Sequence, residues 1–85
     1  MMQLENRKSY LFDRPGKYRI CVQGFIDKSW SERLGGMHIS TSKQGEQSPV
    51  TDLIGTLMDQ AELAGVLNTL YEMHMPILLV EYQNG

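Results

Sequence analysis

No lysine or arginine follows Lys43 in this 85-residue chain. All eight bases (Arg7, Lys8, Arg14, Lys17, Arg19, Lys28, Arg33 and Lys43) stand at or before that point, against four acids, so the first half carries eight less four, +4. The second half has six acids and no base, and the whole chain carries −2. The bases form no run and are interleaved with acids, which argues against a nucleic-acid surface. The polarity admits two readings: the halves face each other within one small fold, or the basic strands attract an acidic surface on another subunit. Cysteine is equally scarce. Cys21 is alone, so an intramolecular disulfide and a cysteine-based zinc site are both excluded. No apolar run approaches the roughly 20 residues that span a bilayer. The first residues, Met1-Met2-Gln3-Leu4-Glu5, lack the charged-then-apolar order of a secretory leader. These absences set the expectation of a cytoplasmic protein without membrane or nucleic-acid partners.

What is present suffices for one domain, and only just, because a single core at this length gives marginal stability. Residues 1–16 are polar apart from Tyr10-Leu11-Phe12 and end in the turn signal Asp13-Arg14-Pro15-Gly16, so they read as a partly ordered N-terminal arm. Residues 17–85 then form the domain. Lys17 to Ile26 alternates, with Tyr18, Ile20, Val22 and Ile26 on one face and Lys17, Arg19, Cys21 and Gln23 on the other, as a strand with one buried face does. Asp27 suits the cap of a short helical turn over Lys28 to Arg33. Gly35-Gly36 ends that turn before a second strand, Met37 to Thr41, and a mobile loop spans 42–50.

The stretch from Thr51 to Tyr82 carries the most information. Thr51 to Met58 predicts a strand with Leu53 and Leu57 on one face and Ile54 and Met58 on the other, hence a central strand or one whose second face is covered. Asp59-Gln60-Ala61-Glu62 is a capping box with aspartate as the cap. Leu63, Val66, Leu67, Leu70, Tyr71 and His74 then follow helical spacing and predict the inner face of a helix running to about His74. Pro76 stops it, and Ile77 to Val80 reads as a short buried strand. The fold class that follows is α+β: a four-stranded sheet in β-β-β-α-β order with one helix on one face. A strand–helix–strand unit of this length implies a parallel pair and a right-handed crossover between the last two strands. One helix covers one sheet face only. The uncovered face therefore calls for the arm or a second copy, and a homodimer is the expected solution at this size.

Several segments together resemble a known group: Gly24-Phe25-Ile26-Asp27, Trp30, Leu34-Gly35-Gly36, the run Gly55-Thr56-Leu57-Met58-Asp59-Gln60-Ala61-Glu62-Leu63-Ala64-Gly65-Val66-Leu67, and Pro76-Ile77-Leu78-Leu79-Val80. The chain is similar, from about Tyr18 to Val80, to a widespread family of small uncharacterised bacterial proteins with a G-x-L-x-D-Q-A-x-L-x-G-x-L … P-L-L-x-V pattern. That resemblance implies a bacterial stand-alone domain. It implies no activity and no cofactor, and residues 1–16 extend beyond it.

Residues capable of chemistry have simpler structural readings. Cys21 lies mid-strand without an adjacent base that would lower its pKa. His38 and His74 are far apart, with no carboxylate at metal-ligand spacing, and His74 suits a helix C-terminus. Asp59 and Glu62 could be paired acid–base carboxylates, but capping accounts for their spacing. A phosphate site at the helix start is disfavoured, since Asp59 already occupies it and no glycine-rich loop precedes it. No catalytic, cofactor or metal site is therefore expected. Five residues remain as partner or ligand contacts. Trp30 stands in a polar segment, as binding anchors do. Leu53 and Ile54 represent the two apolar faces of the third strand. Gln60 is placed inward on the first helical turn, and Gly65 lies on the outer helix face, where glycine costs about 1 kcal/mol against alanine and permits close backbone approach. The expectation is a non-enzymatic homodimeric interaction or regulatory module. The alternative is a sensor of an apolar or weakly polar metabolite, with methionines 58, 73 and 75 lining its pocket.

Overall fold

The computed structural model describes residues 15–83, so the predicted arm, residues 1–16, lies outside the described residues except for Pro15 and Gly16, where β1 begins. Four strands, β1 (Gly16–Gln23), β2 (His38–Ser42), β3 (Val50–Leu57) and β4 (Ile77–Tyr82), form one sheet in the order β2-β3-β1-β4. A 3-10 helix, Lys28–Leu34, joins β1 to β2, and the helix α1 (Gln60–Glu72) joins β3 to β4. The α+β class, the element order and the single α-helix agree with the sequence reading.

Every adjacent pair is antiparallel. β3 and β4 run the same way, as the crossover reasoning requires, but they are not neighbours, because β1 inserts between them. Likewise β3 lies between β1 and β2. The chain thus contains two interleaved split βαβ units, the ferredoxin-like succession with its first helix reduced to 3-10 turns. Length explains the reduction. Only seven residues form that element, fewer than the 10–14 of an average helix.

Alternation in β1 fixes the core. Tyr18, Ile20 and Val22 point to the helical side and are buried. They stand opposite Gly55, Leu53 and Thr51 of β3. Val66 and Leu70 of α1, with Leu34, Met37, Ile39 and Leu57, complete the cluster. Ile26 joins it from the loop after β1, since the strand ends at Gln23. Thr51 is buried with its hydroxyl satisfied, donating to the Gly24 carbonyl at 2.6 Å and sharing a 2.8 Å hydrogen bond with Thr41. The turn into β2 rests on Gly35, whose φ of 69° is left-handed and whose N–H donates to the Ser31 carbonyl.

Four expectations require correction. First, β4 is not buried: Ile77, Leu78, Leu79, Val80 and Tyr82 are each 38–54% exposed. Among the described residues β4 pairs only with β1, and α1 packs against β3 and the 3-10 helix, leaving β4 uncovered. Second, α1 ends at Glu72 instead of near His74, because Met73 N–H closes on the Thr69 carbonyl while His74 turns to a φ of 60°. Tyr71, in the last turn of α1, is 78% exposed and does not belong to the predicted inner face. Third, Gln60 is exposed instead of inward. Fourth, the second face of β3 is mixed, not apolar. Met58 lies beyond the strand, and the residues accompanying Ile54 there are Val50, Asp52 and Thr56.

Candidate functional site

Two surfaces are left by this arrangement: the sheet face away from the helices and the free edge at β4. On the face, register places His38, Ile54, Arg19 and Glu81 in one row across β2, β3, β1 and β4, and Ser40, Asp52, Cys21 and Leu79 in the next. Arg19 is its centre. Its guanidinium lies 3.3 Å from Asp52 on one side and 3.7 Å from Glu81 on the other. The Asp52 Oδ1 is buried without a well-aligned hydrogen bond, so the nearby cation is what offsets its desolvation. Cys21 sits beside this group. Burial first, and the Asp52 carboxylate second, push its thiol above the usual range, with Arg19 opposing weakly. The thiol is therefore protonated at neutral pH and a poor nucleophile. This polar, internally neutralised face was missed in the sequence, although the alternation that put Arg19 opposite the buried set was its signal.

The edge is different in kind. Gln83 N–H donates to the Lys17 carbonyl at 2.7 Å, which fixes the hydrogen-bonding parity of β4. Leu79 and Glu81 direct their main-chain groups to β1, opposite Cys21 and Arg19. Val80 and Tyr82 direct theirs outward, and beyond the bulge at Leu78, where the Pro76 carbonyl accepts the Gln23 N–H at 2.9 Å, Ile77 does so opposite Val22. Natural edge strands are usually blunted by lysine or proline within them. Ile77–Tyr82 contains neither. On the helical side Tyr82 leans on Tyr18, with ring centroids 5.2 Å apart, while Val80 stands opposite Ile20.

The predicted site residues do not converge. Trp30 is half-buried against the edge of the core, with the Arg33 guanidinium 5.4 Å from its ring. Leu53 is wholly buried, whereas Ile54 is half-buried on the polar face. Gln60 and Gly65 lie on the exposed side of α1, and nothing approaches within 4 Å of where a Gly65 Cβ would stand. The two candidate carboxylates are occupied locally: Asp59 Oδ1 accepts the Glu62 N–H at 2.9 Å, and Glu62 Oε1 reaches back to the Met58 N–H at 2.7 Å. Among the described residues no three His, Cys, Asp or Glu side chains gather as metal ligands do. No helix there is long and apolar enough to cross a membrane. A shallow hollow of about 600 Å3 is lined by Tyr71, Glu72, His74, Met75 and Pro76.

Fold and surfaces define a small α+β domain whose most distinctive feature is an apolar edge strand interrupted by one bulge and one charge, Glu81. The chain belongs to the family described as Domain of unknown function (DUF8691), which matches residues 17–81. No curated protein and no solved structure matches it.

Proposed function

We propose that this chain is a non-enzymatic interaction or regulatory module that acts as a homodimer in a bacterial cytoplasm. The observation carrying this reading is the exposure of five large apolar side chains on one six-residue strand. An exposed apolar patch of that continuity marks an interaction surface in a stable domain, and a second copy supplies the additional core that a chain of this size needs. The absence of catalysis is supported by how the reactive groups are engaged: Asp59 and Glu62 cap a helix, Arg19 is shared by two carboxylates, and the Cys21 thiol is held protonated. Bacterial origin rests on the sequence pattern alone. Light scattering over a concentration series tests the reading. A mass that rises to twice 9.7 kDa supports it, and 9.7 kDa throughout rejects it.

The sensor alternative draws on one observation, the hollow at the end of α1 where Tyr71 and Met75 offer apolar wall beside His74 and Glu72. A metabolite panel that raises the melting temperature, an effect abolished by Tyr71→Ala, would favour it.

A further inference from the structure

We infer that two copies join edge to edge through β4, antiparallel, about a two-fold axis at Val80, making one continuous eight-stranded sheet. This rests on the homodimer reading and specifies its geometry.

The parity of β4 restricts the possible pairings. Val80 and Tyr82 present main-chain groups outward, as the Gln83–Lys17 bond dictates, and Ile77 does so on the far side of the bulge at Leu78, where the Pro76 carbonyl accepts the Gln23 N–H. An isologous antiparallel pair must therefore be centred on a residue, not between two. Three centres leave useful overlap. A centre at Glu81 sets Glu81 directly against its own copy, and like charges directly opposite are unfavourable. A centre at Leu79 sets Tyr82 against Pro76 of the second copy, which has no N–H to give. A centre at Val80 pairs Val80 with itself and sets Tyr82 opposite Leu78 in both directions, so the two outward residues beyond the bulge, Val80 and Tyr82, both meet the second copy. This sets an aromatic residue opposite a leucine across the seam, a favourable cross-strand combination. On the sheet face away from the helices each Glu81 faces a Leu79 and keeps its own Arg19 at 3.7 Å. The seam then contains no uncompensated charge.

The chain's own residues before Pro15 fit this edge less well. β1 begins at the end where β4 finishes, since Lys17 meets Gln83. A segment arriving from the outer edge of β4 would run in the same direction as β4. Its ladder would be parallel, the weaker arrangement per residue. A second copy has no such restriction.

Amide hydrogen exchange on the full chain, read residue by residue over a concentration series alongside the mass, tests this. The expected result is a dimer in which the Val80 and Tyr82 amides slow by a factor of about a hundred or more as concentration rises, reaching the rates of Leu79 and Glu81. A dimer whose Val80 and Tyr82 amides stay fast overturns the edge pairing and leaves the homodimer reading standing. A monomer at every concentration overturns both; slow Val80 and Tyr82 amides in that monomer would assign the edge to residues 1–14 instead. Val80→Pro adds a second readout. Its missing N–H is one that points away from β1, so the β1–β4 ladder is spared while the seam is blocked. The expected product is a folded monomer. Val80→Lys serves the same purpose by charge if the proline variant does not fold, and a folded dimer from it rejects the proposal.

Discussion

Gly35 and Gly65 show how much the surroundings of one atom decide. A methyl group on Gly35 would require an L-residue at a φ of 69° and would stand 2.6 Å from Leu57 Cδ2. Gly35→Ala is expected to cost about 1–3 kcal/mol in denaturant unfolding. At Gly65 the same methyl meets nothing within 4 Å, and the residue lies inside a helix. Gly65→Ala is expected to stabilise by about 0.5–1 kcal/mol with the dimer mass unchanged. Loss of the dimer would instead place the outer face of α1 in the interface. Cys21 gives a residue-scale prediction about chemistry. Its raised pKa means that a thiol reagent at neutral pH reacts more slowly than with an unfolded peptide. Reaction at or above the peptide rate would contradict the burial argument. Polar alternation made the orientation of Cys21 legible in advance. Its Asp52 neighbour was not legible, because register between strands separated by residues 24–49 is set by tertiary pairing.

At the scale of the element, β3 and β4 were the hard readings. Leu53, read from the sequence as a partner or ligand contact, is wholly buried in the core, and Leu53→Ala is expected to cost about 2–5 kcal/mol. Ile54→Ala, on the polar face, is expected to cost under about 1.5 kcal/mol by the same thermal or denaturant measurement. Equal costs would mean that a second layer covers that face. For β4, a short apolar run reads alike whether it is central or at an edge, since periodicity reports faces and not neighbours. Ile77 to Val80 was therefore predicted as buried, and only strand order shows otherwise. The helix start was legible through Asp59 and Glu62, while its end was not: no glycine marks it, and His74 takes the left-handed position. The 3-10 helix adds a pH test. The Ser29 side chain first, and the Ser29 N–H that Asp27 accepts at 3.0 Å second, hold the Asp27 carboxyl below the usual carboxylate value. A depressed carboxylate contributes stability above its unfolded pKa and loses it as pH falls through the folded one. Asp27→Asn should therefore flatten the acid limb of the stability profile below about pH 4; an unchanged limb would remove the cap from the account.

For the whole molecule, the two halves of the charge asymmetry meet within the fold at one base among the described residues, Arg19. β1, from the basic half, lies between β3 and β4 of the acidic half, and Arg19 bridges Asp52 and Glu81 across it. The reading that opposite charges face each other was available from composition; which ones meet was not. Two interleaved crossovers with one shortened helix leave the sheet covered on its β3 side and bare at β4. That imbalance is the physical reason for expecting a second copy, and membership of an uncharacterised family leaves the expectation to experiment. The most direct measurement is the molar mass of the full chain by light scattering, for the native sequence and for Val80→Lys. The account predicts twice 9.7 kDa at high concentration for the first and a folded 9.7 kDa monomer for the second. A native chain that stays at 9.7 kDa, or a Val80→Lys variant that remains a dimer, would contradict it.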